Sequence, residues 1–183
     1  MKMDKFNDLQ IIKRRFFAMR NGIIADTIRK SGAPYRMIFG LNLPQIDEIS
    51  RETGKNKELA EKLHADTSTR ESQLLAPMLM PEEEMTPEKA IGWIAGAPSH
   101  EAIDILCHRL LRRLPFALDT VEQALNSDIP HARYAAVRLM WNLIPSHADE
   151  VYPLASREAS KGEDAISLLA RNLMEEIDFL REM

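Results

Sequence analysis

Helix-start signals recur along this chain at nearly constant intervals. One set of helix starts lies near Thr69, His100, His131 and Glu163, and consecutive members of this set are about 31 residues apart. The helices between them start with nearly the same step, near Thr86, Leu114 to Phe116 and Ser146. Two helices per step of fixed length indicate an α-solenoid, in which each repeat packs on its neighbours.

The composition and the apolar spacing favour helices throughout. The chain is 45% hydrophobic and 28% charged, and it has only seven glycines and no strand-like runs, so a packed helical core is expected. Short polar breaks between helices imply antiparallel neighbours. We therefore predict an all-α fold: an α-α superhelix, or HEAT-like solenoid, of stacked antiparallel helix pairs forming a single domain over residues 1–183. A plain irregular helical bundle is the alternative.

Individual boundaries follow from capping residues. Asn56, Ser99 and Thr86 before Pro87 are predicted helix caps, and Gly54 is a predicted end. Further starts are expected from two capping-box-like stretches, residues 68–71 and 146–149, with Ser68 and Glu71 as the capping pair of the first.

Cysteine content and hydropathy constrain the compartment. The single cysteine, Cys107, excludes an intrachain disulfide and is predicted to be buried and inert. No apolar run is long enough to span a bilayer, and the first residues lack a secretory apolar region. A cytoplasmic protein without a membrane partner is therefore expected.

The net charge of −4 is unevenly distributed. Residues 1–36 carry nine Lys or Arg against three Asp, a net of +6, which leaves −10 for the remainder. This basic segment could contact phosphate or match an acidic part of the same chain. The acidic total argues mildly against tight DNA binding.

One polar constellation could carry chemistry. No phosphate-binding glycine loop and no Gly-x-Ser-x-Gly nucleophile motif occurs. His100, Asp104 and His108 have i, i+4, i+8 spacing and form one stripe on a helix, with Glu101 beside it. Such a stripe spans about 12 Å, too far for one metal ion to reach both histidines, so we predict no metal and no cofactor. A functional groove and a solvated polar face are the two interpretations that remain.

Arginines recur near the starts of equivalent helices. Arg70 and Arg133 occupy such positions, and Arg171 is less well aligned. In a curved solenoid they would form a ridge on the concave surface that could hold a DNA backbone. Ordinary pairing with surface acids is the alternative.

Several stretches resemble the DNA alkylation repair (AlkD-like) proteins. Residues 35–46 (YRMIFGLNLPQI) resemble the glycine–proline turn before an early helix of that family, and residues 58–63 and 70–76 follow as they do there. Residues 100–104 (HEAID) lie where the family has Trp-Asp-x-x-Asp, and residues 131–137 resemble its later arginine-containing helix. The similarity covers roughly residues 20–145.

The resemblance implies a HEAT-like DNA glycosylase that removes N3- or N7-alkylated purines. Asp104 would then stabilise the oxocarbenium-like sugar, and Arg70 and Arg133 would hold the duplex backbone. The sequence departs from the family by placing His100 and His64 where tryptophans are expected. We therefore predict duplex DNA binding on the concave face, with weakened glycosylase activity. The alternative is a non-enzymatic scaffold for a protein or peptide partner, which the acidic run Glu82–Glu84 favours.

Overall fold

The computed structural model describes residues 7–183, and these residues form ten α-helices and no strand. The helices are α1 (Asp8–Ala18), α2 (Gly22–Lys30), α3 (Leu43–Thr53), α4 (Lys57–Ala65), α5 (Arg70–Leu79), α6 (Pro87–Gly96), α7 (His100–Arg109), α8 (Ala117–Leu125), α9 (Ala132–Ala159) and α10 (Ala165–Glu182). Short 3₁₀ turns occupy Glu82–Glu84 and Leu111–Arg113. The prediction of an all-α fold is confirmed. Lys2 and Lys5 of the basic segment lie outside the described residues.

Most predicted boundaries agree with the structure. Asn56 caps α4 through the Leu59 amide, and Gly54 ends α3 with a φ of 73°. The Ser99 hydroxyl accepts from the Ala102 amide at the start of α7. The prediction that Ser68 and Glu71 form a capping box is wrong. The first residue before α5 is Thr69, which makes no side-chain cap, and the Ser68 hydroxyl donates to Asp66 instead.

The predicted start near Ser146 is a break within a longer helix. α9 runs from Ala132 to Ala159, and His147 has non-helical backbone angles where two helical segments meet. Ser146 does not cap the second segment, because its hydroxyl donates back to the Leu143 carbonyl.

The helices form two compact units. The first extends to Met85 and includes Gly96–Ala102, and the second contains Thr86–Ala95 and Ile103–Met183. The single-domain prediction for residues 1–183 stays a prediction. Among the described residues, no helix combines the length and the apolar character needed to cross a membrane.

Helix α5 is the centre of the first unit, where it packs against α3 and α4. All ten of its residues are buried, although four of them are polar or charged. The Gln73 side-chain amide donates to the carbonyls of Leu63, His64 and Asp66, which satisfies the free C-terminal carbonyls of α4. Burial of this helix is tolerated because its polar groups find partners.

The fully buried carboxylate of Glu71 organises the segment before α3. It accepts hydrogen bonds from the amides of Phe39, Gly40 and Leu41 at 3.1, 2.9 and 3.3 Å. Gly40 has a φ of +81°, and a Cβ there would lie 2.2 Å from the Asn21 carbonyl oxygen. Glycine is therefore required at this position by both backbone conformation and space.

The second unit is built around α9, which packs against α8 and α10. Its inward residues include Ala135, Leu139 and Leu143, which are almost fully buried. The Glu158 carboxylate is also buried and pairs with Arg133 and Lys161. A buried charge persists only when it is paired in this way.

Replacing Gly40 should destabilise the protein far more than replacing a glycine of similar φ in open space. Gly32 has a φ of +85°, and a Cβ at this position would have no atom within 4 Å, so Gly32→Ala meets only the backbone penalty of about 1 kcal/mol. Gly40→Ala adds a clash with backbone atoms and should lower the free energy of unfolding by at least about 2 kcal/mol more. Urea denaturation of both variants measures the difference, and equal losses would contradict the predicted crowding.

Candidate functional site

The predicted catalytic residue, Asp104, lies in the middle of α7 with its side chain 34% exposed. Its Oδ1 accepts a hydrogen bond from the Tyr134 hydroxyl at 2.9 Å and forms an ion pair with Arg138 Nε at 2.7 Å. Tyr134 and Arg138 are four residues apart on α9, so they project from the same side of that helix. The carboxylate is therefore held by two donors from one neighbouring helix.

Both donors converge on Oδ1. The carboxylate is about one-third exposed, so part of it is open to solvent. The arginine orients the carboxylate through a charge-assisted hydrogen bond and offsets part of its negative charge. The arrangement can present one carboxylate oxygen, with fixed direction, to a cationic or electron-poor group.

Tyr134 is a permanent donor in this cluster. Burial, together with the hydrogen bond to the Asp104 carboxylate, raises the pKa of Tyr134. The phenol therefore keeps its proton across physiological pH. Cys107, one turn along α7, is fully buried and its thiol lies 3.6 Å from the Ala135 carbonyl. Burial raises the pKa of this thiol as well, so the prediction of a buried, unreactive cysteine agrees with the structure.

Tyr134 and Arg138 were not among the predicted site residues. Their i, i+4 spacing on a predicted helix was visible in the sequence and indicates a shared face. Nothing in that spacing indicates that the face lies against Asp104, which is 30 residues away in the chain from Tyr134.

The predicted stripe of His100, Asp104 and His108 lies on α7 as expected, but its members have separate environments. His108 Nδ1 lies 2.9 Å from Asn142 Oδ1, and His100 is the exposed first residue of the helix. His100 and Glu101 belong to the first compact unit, whereas Asp104 and His108 belong to the second. Within residues 7–183, no three His, Cys, Asp or Glu side chains are grouped so as to hold a metal ion.

Arg70 is held by a network of acids and one carbonyl. Its side chain is 8% exposed, and it donates through Nε and Nη2 to the two carboxylate oxygens of Glu101 at 2.8 and 2.6 Å. Its Nη1 donates to the Leu41 carbonyl and to Glu71. This two-pronged geometry is the strongest form of an Arg–carboxylate pair.

Arg133 has a matching set of partners in the second unit. It donates to Glu158 at 2.7 Å, to Asp164 at 2.7 Å and to the Ser167 hydroxyl at 2.7 Å. Hydrogen bonds from Arg133 and from the Ser167 amide hold the pKa of Asp164 at about 2. Arg171 is similarly engaged, because it donates to both carboxylate oxygens of Glu163.

These contacts bear on the predicted arginine ridge. Arg70 reaches an acid 31 residues later in the chain, and so does Arg133, which corresponds to one repeat in each case. The side chains of Arg70 and Arg133 are therefore paired with acids, which is the alternative to a phosphate-binding ridge. The roles of Arg70 and Arg133 as phosphate contacts stay predictions.

His64, one of two histidines at expected tryptophan positions, is largely buried at the end of α4. Its ring lies against Gly96, where a Cβ would be 3.0 Å from Nε2. Burial lowers the pKa of His64 to about 4. The imidazole is therefore neutral at physiological pH and acts as a packing group.

The fold is that of a helical-repeat protein, and its candidate site holds one carboxylate, Asp104, in a fixed orientation. A sequence model of the DNA alkylation repair enzyme family matches residues 12–182. The chain therefore belongs to the DNA alkylation repair enzyme family, and the predicted resemblance is confirmed.

A solved structure has the same fold. It is described as belonging to a new family of proteins related to the HEAT-like repeat DNA glycosylases with affinity for branched DNA structures. The TM-score is 0.75 with 18% identity, over 91% of this chain and 74% of that chain. The HEAT-like helical-repeat prediction is confirmed. No curated protein matches this chain by sequence.

Removing Arg70 should reduce stability more than removing its exposed partner. Arg70→Met leaves the buried Glu71 without its cation and should lower the free energy of unfolding by about 3 kcal/mol or more. Glu101→Gln removes a partner that is 43% exposed and should cost about 1 kcal/mol. Urea denaturation measures both changes. If Arg70→Met instead kept full stability and lost DNA affinity, Arg70 would be a phosphate contact.

Acid should destabilise the protein through His64. The unfolded chain takes up a proton near pH 6.5, whereas folded His64 does so only near pH 4. Stability present above pH 6.5 is therefore lost as pH falls toward 4, by up to about 3 kcal/mol. In His64→Gln, the fall in unfolding free energy between pH 7 and pH 4.5 should be correspondingly smaller. The carboxylates titrate in both proteins, so the difference between the two falls isolates His64.

Proposed function

We propose that this protein binds duplex DNA and releases N3- or N7-alkylated purines from it, with Asp104 as the catalytic carboxylate. The observation that carries the proposal is the partly exposed Asp104 carboxylate, which two donors from α9 orient through Oδ1. Membership of the DNA alkylation repair enzyme family supports it.

The reaction suits a single carboxylate. An alkylated purine carries a positive charge, so it leaves with the electron pair of the glycosidic bond and becomes neutral. The sugar is left with oxocarbenium character, and water then adds to its anomeric carbon and releases a proton to solvent. The Asp104 carboxylate would stabilise the positive charge as it develops on the sugar, which requires neither a metal nor a cofactor.

Tyr134 and Arg138 are positioning residues in this scheme. They fix the direction of Asp104 through Oδ1 and leave the charge of the carboxylate partly neutralised. Partial neutralisation weakens electrostatic stabilisation, which agrees with an enzyme of low rate. DNA contacts by His100, Glu101 and His108 are part of the same proposal.

A second candidate function is DNA binding without base release. Two observations favour it: the ion pair of Asp104 with Arg138, and the affinity for branched DNA of the family to which the structural relative belongs. A scaffold for a protein partner has less support. In the Glu82–Glu84 run that suggested it, Glu84 is paired with Lys57 at 2.6 Å.

Asp104→Asn should abolish base release and leave DNA affinity nearly unchanged. The carboxylate acts on charge that exists mainly in the transition state, so the rate should fall at least about 100-fold. Release of N7-methylguanine from a duplex oligonucleotide measures the rate, against the spontaneous rate without protein. Asp119→Asn, which removes a carboxylate from α8, is the matched control and should retain activity.

The two candidate functions give different outcomes. His100→Trp should raise the rate if the missing aromatic ring limits it. If wild type and Asp104→Asn both release base only at the spontaneous rate, the glycosylase proposal fails. Tighter binding of a four-way junction than of a duplex with the same number of base pairs would then favour the second candidate.

A further inference from the structure

A separate surface pocket lies in the first unit, between α1 and the segment before α3. Its volume is about 400 Å³, within the range of small-molecule sites. The lining residues are Gln10, Lys13, Arg14, Phe17, Met37 and Phe39. None of them belongs to the Asp104 cluster, so the pocket is distinct from the candidate catalytic site.

The floor of this pocket is aromatic. Phe17 lies on α1 with 56% of its surface exposed, which is unusual for a phenylalanine. Phe39 is anchored on the core side, because its ring packs 5.8 Å from that of the buried Phe16 and its amide donates to Glu71. The guanidinium of Arg20 lies 3.9 Å from the centre of the Phe17 ring. One exposed ring, that of Phe17, and one partly buried ring, that of Phe39, therefore line the same pocket, and the Arg20 guanidinium lies over the Phe17 ring.

Two cations, Lys13 and Arg14, line the pocket. They belong to a basic segment, because residues 7–36 carry seven Lys or Arg against two Asp, although Arg15 of this segment pairs with Glu52. Lys13 lines the pocket while it pairs with Asp66 at 2.8 Å, and Arg14 is exposed at its edge. A ligand that complements this surface needs a flat apolar group joined to negative charge.

We propose that this pocket binds an unpaired nucleotide of a DNA strand. The base stacks on Phe17 and Phe39, and its flanking phosphates lie near Lys13, Arg14 and Arg20. Aromatic rings combined with cations are the general means by which proteins bind single strands without reading sequence. A paired base keeps both faces stacked within the duplex, so only an unpaired one can present its ring to Phe17.

The test uses binding of a (dT)12 oligonucleotide, followed by fluorescence anisotropy at low salt. Phe17→Ala and Phe17→Leu should each weaken binding at least about tenfold, because both remove the ring and the second keeps apolar bulk. Ile23→Ala removes another exposed apolar side chain, 82% exposed on α2 outside the pocket, and should bind like wild type. An abasic oligonucleotide of the same length has no base to stack. Wild type should therefore bind it no more tightly than Phe17→Ala binds (dT)12.

Three results would overturn the proposal. Equal binding of (dT)12 by wild type and both Phe17 variants excludes stacking on this ring. Equal binding of (dT)12 and the abasic strand by wild type shows that charge alone is recognised. A wild-type dimer in sedimentation that Phe17→Ala converts to monomer shows that the pocket holds a second copy of the chain.

This proposal is independent of base release. Asp104→Asn should bind (dT)12 like wild type, whether or not the wild type is a glycosylase. Conversely, Phe17→Ala should retain any release of N7-methylguanine from a fully paired duplex at saturating protein. The failure of one proposal therefore leaves the other measurable.

Discussion

The buried ionic network at the start of α5 is the interaction on which the first unit depends. Glu71, fully buried, needs donors, and it finds them in three consecutive amides of the segment before α3 and in Arg70. Arg70 then links that segment to Glu101 at the start of α7. Because an unpaired charge in the interior is very unfavourable, this one network specifies where three separate parts of the chain must lie.

The same need to pair buried charge governs the second unit and limits what its arginines can do. Arg133 joins the buried Glu158 to Asp164, the residue that caps α10. Cations in a repeat protein are thus not automatically contacts for DNA, since they also hold one repeat to the next. Two features that a ligand could still use are the partly exposed Asp104 carboxylate and the exposed aromatic pocket at Phe17.

The candidate site shows how local order supports a simple chemistry. Asp104 is oriented by two donors on one face of α9, Tyr134 and Arg138. Arg138 partly neutralises the charge of the Asp104 carboxylate, and this pairing bears on the rate of the proposed reaction rather than on the fold. The family and the HEAT-like fold of the chain are consistent with this site. The base-release assay tests the proposed activity.

The sequence by itself determined the helices, the repeat step and the family, because these depend on local spacing and short motifs. The catalytic role of Asp104 stays a prediction. Asn56, Gly54 and Ser99 act locally and were assigned correctly. Only the tertiary structure decided the partners: Tyr134 and Arg138 on Asp104, and the loop amides on Glu71, whose capping-box pattern was misleading. These contacts join residues about 30 positions apart, and pairing at that distance follows from how helices pack, which no local pattern encodes.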